Sequence, residues 1–323
     1  MSLPAARDAV RIAITLGDPR GIGPEVIAAA LDRLTPAERA ACTLIGPAGT
    51  FADAAEAPLD AVGEWAGDRG AAEAGRLAGM AITRAAALAA DGAADAIVTG
   101  PIDKHALHEG GYPFPGHTEM LATLADTAIV GMLMAAESTR AGGPLRVLLM
   151  TTHLPLARVP AELTLQRIVE QTALLDRSLR TLWRIEAPRL ALCALNPHAS
   201  DGGLFGHEER DVMSPASESL RAQGIRVHGP FAADTVFLRA LRGEFDAVLA
   251  PYHDVGMAAF KTASFGQGVN VTLGLPYIRT APDHGTAMDI AGRRRADPTS
   301  MTEALRLALR LARLRAQLGA APA

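Results

Sequence analysis

Lysine is nearly missing from this 323-residue chain: of 31 basic residues only Lys104 and Lys261 are lysines, and asparagine is as scarce, at Asn196 and Asn270. A chain that meets almost every need for a surface cation with arginine is expected to keep lysine where a compact, titratable ammonium is required, because the two are not interchangeable. Both lysines are therefore site candidates. Cysteine occurs only as Cys42 and Cys193, each inside an apolar run, which fits reduced core thiols and excludes a disulfide framework. Positive charge is not in excess, the formal net charge being −4, so the composition offers no basic surface for nucleic acid. No run of about 18 apolar residues occurs, and the start, MSLPAARDAVR, has no apolar h-region. Neither membrane insertion nor secretion is indicated, and a cytoplasmic location is expected. Walker A, G-x-G-x-x-G and short metal-binding motifs are missing too.

What is present is a globular composition, 49% hydrophobic and 20% charged, in a chain long enough for two lobes. Strand-like runs at Arg11–Leu16, Cys42–Gly46, Ala96–Gly100, Ile129–Ala135, Leu145–Thr152, Arg189–Leu195, Asp246–Ala250 and Gly268–Leu273 alternate with helical segments. The helices are read over 68–90, 117–124, 163–183 and 300–318, the last opening on Ser300-x-x-Glu303, a capping-box pattern. Such alternation predicts an α/β fold with mostly parallel sheets. No flexible linker separates the lobes, so they are expected to intertwine: residues 1–127 with 264–323, and residues 128–263.

In open parallel sheets ligands collect beyond the carboxyl ends of strands, and the polar residues of this chain gather there. Gly17-Asp18-Pro19-Arg20-Gly21-Ile22-Gly23-Pro24-Glu25 leads from the first strand into a helix, where free amides favour an anion, although a tight turn without ligand accounts for the glycines equally well. Pro101-Ile102-Asp103-Lys104 follows another strand. His117 and Thr118 open a helix, where Thr118 reads either as a cap or, with His117, as a phosphate donor. Lys261, Asn270 and Arg279 add three further donors able to hold a phosphate or carboxylate through charge-assisted bonds; the alternative for Lys261 and Arg279 is ordinary surface charge. His153, His198 and His253 each stand just past an apolar strand. Singly, a histidine so placed is a structural group; three at equivalent points of one sheet edge can converge on a divalent metal whose open positions take substrate oxygens. Asp234, next to Thr235, reads as an N-cap or as part of the substrate pocket.

The motifs TLGDPRGIGPE, TGPIDK, PFPGHTE, TTHLPL, NPHASDGGLFGHEE, GPFAADT, YHD, the Lys261–Asn270–Arg279 series and IRTAPDHGTAMDIAG, in this order, resemble the PdxA family of 4-hydroxythreonine-4-phosphate dehydrogenases, enzymes of pyridoxal phosphate biosynthesis. GDPRGIGPE and DHGTAMDIAG also look like the isocitrate and isopropylmalate dehydrogenases. The resemblance implies their two-lobed α/β/α fold with a cleft between lobes, and a non-Rossmann NAD or NADP site on His284, Gly285, Thr286, Ala287 and Asp289. It implies a divalent metal (zinc, magnesium or cobalt) on His153, His198 and His253, and a phosphorylated substrate on His117, Thr118, Lys261, Asn270 and Arg279. It further implies a homodimer in which one subunit lends a metal ligand to the other. Lys104 and Asp234 are the candidates for the base that takes the alcohol proton, with a metal-bound hydroxide as a third. One departure bears on specificity: Val255 follows Tyr252-His253-Asp254 where the family is expected to carry glutamine, and Met257 is also unusual, next to the groups that read the substrate's C2 substituent. A relative oxidising 4-phospho-D-threonate or 4-phospho-D-erythronate is therefore the alternative. Arg293-Arg294-Arg295, just past the nucleotide loop, reads as exposed charge or as a contact for an NADP 2′-phosphate.

Overall fold

The computed structural model describes residues 10–50, 56–67 and 69–319. The amino-terminal stretch read above for a leader lies largely outside them, as does Asp68. The chain divides into two compact units, Met1–Ala128 with Leu275–Ala323, and Ile129–Gly274. The expected return to the first unit at residue 264 comes later, because Val269–Leu273 pairs antiparallel with Gly131–Ala136 and so stays with the second unit.

In the first unit the strands are β1 (Ile12–Thr15), β2 (Cys42–Ala48), β3 (Leu59–Glu64), β4 (Ala96–Thr99) and β11 (Ile278–Pro282). They pair in the order β3-β2-β1-β4-β11, all parallel. Every residue of β1, β4 and β11 is buried, as parallel strands covered on both faces require. One face meets the helix Gly70–Ala90, whose Ala81, Ile82, Ala85 and Ala89 pack with Ala13, Ile45 and Ile97. Small side chains let that helix come close enough for Gly75 to abut the carbonyl of Ala106 and Gly79 the ring of Tyr112. The long helix Thr299–Gly319 packs on β11, β4 and the helix Gly23–Leu31.

The second unit holds β5 (Gly131–Ala136), β6 (Leu145–Leu149), β7 (Leu190–Cys193), β8 (Val227–Phe231), β9 (Ala247–Ala250) and β10 (Val269–Leu273), in the order β10-β5-β6-β9-β7-β8. β6, β9, β7 and β8 run parallel, and β5 is antiparallel to both neighbours. Phe260, Val248, Ala250, Val147 and Leu149 centre its core. Because β6, β9 and β7 are adjacent and parallel, their carboxyl ends deliver His153, His253 and Asn196 to one edge of this sheet.

Three local readings are corrected. Thr118 caps nothing: the helix His117–Leu124 starts after an extended Gly116 without a side-chain cap. Asp234 lies inside the first turn of Ala233–Leu241, behind an Ala232 N-cap position. The capping box at Ser300 does not form, since the helix begins one residue earlier, Asp297 accepts from the Thr299 amide, and the Ser300 hydroxyl bonds Asp283 instead. No helix among the described residues is long and apolar enough to cross a membrane, and Cys42 and Cys193 are buried free thiols.

Candidate active site

In the first unit three basic groups assemble near the end of β4, which the Arg279 side chain reaches from the start of β11. Arg279, on β11, is 3% exposed and donates from Nη2 to Thr99 Oγ1 at 2.6 Å. Burial brings its guanidinium down to about 10, with Glu119 and Tyr277 opposing, so it stays cationic at neutral pH. His117 is half-exposed as a residue, yet its Nε2 is enclosed and has no hydrogen-bond partner among the described residues. Burial first, then Arg279 and Lys104, hold its pKa well below the ordinary imidazole value, so the ring is neutral. Lys104 opens the helix Lys104–Glu109, capped by Asp103 accepting from the Ala106 amide at 2.7 Å; its Cε lies 3.6 Å from where a Cβ on Gly116 would stand. Two cations around a neutral ring with an unused polar atom make a setting for a phosphate.

The glycine loop after β1 and the loop after β11 touch directly. The Ile22 amide donates to the Thr286 carbonyl at 2.9 Å, and a Cβ on Gly21 would lie 2.8 Å from that same oxygen. Gly17, at φ +78°, lets the Asp18 amide reach Pro101 O at 3.0 Å, tying the first loop to TGPIDK. Asp18 is fully buried and grips Arg20 in a two-pronged pair at 2.7 and 3.0 Å, which raises the guanidinium's pKa. Glu25 Oε2 accepts from the Arg294 amide at 3.2 Å, so Arg294 is bound back onto the helix that the glycine loop opens. His284 bonds Gly285 O through Nδ1 and leaves an enclosed Nε2 with no partner among the described residues, while Ala287 is held at φ 40°. This double loop with close backbone approach and a spare polar atom fits a bound nucleotide.

In the second unit the rings of His153 and His253 stand with centroids 5.7 Å apart, in a pocket lined by Thr152, Leu154, Leu156, Tyr252 and Asp254. His253 Nδ1 lies 2.8 Å from Asp254 Oδ1, a carboxylate that orients an imidazole for metal binding through its other nitrogen. His198 is elsewhere, with its Nδ1 3.8 Å from Asp234 Oδ2. Among the described residues no three His, Cys, Asp or Glu side chains converge, so the expected three-histidine cluster is not formed within one chain. Two neighbouring imidazoles still fit a shared divalent ion as part of its shell. Asn270, on β10, has its Oδ1 buried with no partner among the described residues, and Lys261 lies exposed near the end of the helix His253–Ser264.

Sequence reasoning passed over the carboxylates that shape these loops. Asp18, Glu25 and Glu209 are all buried: Asp18 pairs with Arg20 in its own loop, while Glu25 and Glu209 accept from the backbone amides of Arg294 and Asn196. Their only signal was acidic residues inside glycine-rich motifs.

The chain matches the family model described as pyridoxal phosphate biosynthetic protein PdxA over residues 25–308. It is 43% identical to a 4-hydroxythreonine-4-phosphate dehydrogenase of Burkholderia vietnamiensis, over 95% of this chain and 98% of that one. A D-threonate 4-phosphate dehydrogenase of Cupriavidus necator is also 43% identical, over 94% and 98%. The crystal structure of 4-hydroxythreonine-4-phosphate dehydrogenase from Klebsiella pneumoniae superposes with a TM-score of 0.83 at 37% identity, covering 94% of this chain and all of that one.

Proposed function

Because the chain belongs to the PdxA family, we propose that it oxidises 4-phosphohydroxy-L-threonine to 2-amino-3-oxo-4-phosphooxybutanoate, a β-keto acid that loses carbon dioxide to give 3-amino-2-oxopropyl phosphate. It is a dehydrogenase acting on a hydroxyl group, in pyridoxal phosphate biosynthesis. The observation that carries the substrate's phosphate is the enclosed, neutral His117 beside Arg279 and Lys104.

In this reading His117, Thr118, Lys261, Asn270 and Arg279 hold the phosphorylated substrate. Arg279 supplies fixed charge, and neutral His117 offers one ring nitrogen without demanding a counter-ion. The loop His284, Gly285, Thr286, Ala287 and Asp289 holds NAD or NADP through backbone approach to Gly21. His153, His198 and His253 hold a divalent metal, and an all-imidazole set suits zinc or cobalt better than magnesium. A metal held there would supply Lewis acidity toward the substrate's secondary alcohol, and the nicotinamide would supply the acceptor for the hydride from its carbinol carbon. Of the two groups proposed to take the alcohol proton, Asp234 lies beside His198 and Lys104 beside His117. The active unit is a cytoplasmic homodimer in which a subunit lends a metal ligand to its partner.

The sugar-acid reading has its own observation. Val255, where the family resemblance leads one to expect glutamine, packs with Met257 against the Phe260 core and offers no amide near His253. That changes what meets the C2 substituent, and a substrate with hydroxyl in place of ammonium there, 4-phospho-D-threonate or 4-phospho-D-erythronate, is the second reading. The deciding measurement is NAD and NADP reduction by purified protein with zinc, cobalt or magnesium, on the three phosphorylated compounds in parallel. Highest kcat/KM on the amino acid supports the biosynthetic reading; preference for a sugar acid supports the catabolic one. Turnover of none overturns both.

A further inference from the structure

The segment that carries His198 has an uncommon backbone. His198, Ala199, Ser200, Asp201 and Gly202 all have positive φ, between 44° and 71°, so five consecutive residues form a left-handed turn of which only the last is glycine. Left-handed conformations are costly for residues with a Cβ and persist only where the surroundings over-determine them. The surroundings here are two carboxylates at the start of the next helical segment. Glu209, 4% exposed, accepts with Oε1 from the Leu195 amide at 2.9 Å and the Asn196 amide at 2.7 Å, and with Oε2 from Asn196 Nδ2 at 2.9 Å. Glu208 Oε2 accepts from the same Nδ2 at 2.7 Å and from the His207 amide at 3.0 Å. The Ser200 hydroxyl donates to the Gly206 carbonyl, closing the loop across its middle. A Cβ on Gly206 would lie 2.6 Å from Glu208 Oε2 and 2.7 Å from Asn196 Nδ2, so the clamp leaves no space there.

We propose that Glu209, acting through Asn196, is the positioning residue that holds His198 in its metal-binding posture. This rests on the reading of His198 as a metal ligand. The carboxylate is suited to the task because it has two oxygens facing three donors at the root of the turn. It fixes both the peptide that leaves β7 and the side chain two residues before the imidazole. With that root loosened, the strained turn has no reason to keep the histidine where it is, while β7 and the core beneath it are unaffected.

The test uses the full-length chain, stripped of metal, and Co²⁺ alone as the probe, with affinity measured by calorimetry and ligation by the visible d–d absorption. Glu209→Gln is expected to weaken Co²⁺ binding about 10–100-fold and to alter the d–d spectrum toward fewer nitrogen ligands, the size typical of groups that orient a ligand. The metal-free variant should keep the parent's far-UV spectrum and cooperative unfolding. Asn196→Ala, which removes the side-chain donor and spares both backbone bonds to Glu209, should act in the same direction and serves if Glu209→Gln does not fold. His198→Ala separates the two layers of the argument. If it weakens Co²⁺ binding while Glu209→Gln and Asn196→Ala match the parent in affinity and spectrum, the positioning role is wrong and the ligand assignment stands. If His198→Ala itself matches the parent, or the parent binds no Co²⁺, the ligand reading has failed.

Discussion

His117 shows how much one side chain's surroundings decide. Its folded pKa lies well below the unfolded value, first through burial and then through Arg279 and Lys104. Above the unfolded imidazole pKa, about 6.5, both states are neutral and pH has no leverage through this group. Below it the unfolded chain takes up a proton that the folded chain refuses, so stability is lost as pH falls, by up to about 1.4 kcal/mol per pH unit. Thermal unfolding from pH 7.5 to 5.5 should therefore show a falling midpoint, and His117→Gln should fall less steeply. Parallel curves would mean that His117 takes up its proton in the fold as readily as in the unfolded chain. The ring's identity as a candidate was legible because a proline- and glycine-flanked histidine opens a helix; its enclosure beside Arg279 was not, since the two are far apart in sequence. Scarcity is a separate signal: it singles out Lys104, whose charge acts on His117 in the fold.

Elements place these residues, and one contact between helices bears on Lys104. The helix Gly70–Ala90 meets Lys104–Glu109 where a Cβ on Gly75 would run into the Ala106 backbone. Gly75 has ordinary helical backbone, so an alanine there is disfavoured by space alone. Gly75→Ala should push the short helix outward and cost about 1–3 kcal/mol, as overpacking does. It should also raise the KM for the phosphorylated substrate. An unchanged KM in a destabilised Gly75→Ala would detach Lys104 from substrate binding. At this scale the sequence was readable where periodicity or buried apolar runs dominate: the helix at 117–124 and strands β1, β4, β6 and β9 lie within a few residues of their expected places. It was unreadable where tertiary bonds override local preference. Ser300 gives its hydroxyl to Asp283 and not to a helix start, and β3 and β8 are too polar and glycine-interrupted to stand out.

For the molecule as a whole, the proposed metal demands a shell completed by more than the His153–His253 pair. One chain pairs His153 with His253 and leaves His198 against Asp234. Strand order explains why the first pair was foreseeable, since β6 and β9 are neighbours; the third histidine follows a strand on the same edge, yet its left-handed turn carries it away from the pair. The loops bearing His198 and His153 also expose Leu204 at 77% and Leu156 at 65%. A shared site makes a quantitative demand. If His198 and His253 of one metal shell come from different subunits, mixing inactive His198→Ala and His253→Ala homodimers under exchange conditions yields mixed dimers with one intact site of two. Random reassortment then recovers about a quarter of parent activity, by the symmetry of a twofold assembly. If each chain completes its own shell, both sites of every mixed dimer lack a ligand and nothing is recovered. Activity after mixing, read beside the sedimentation mass, therefore decides between a site closed within one chain and a site that exists only in the dimer.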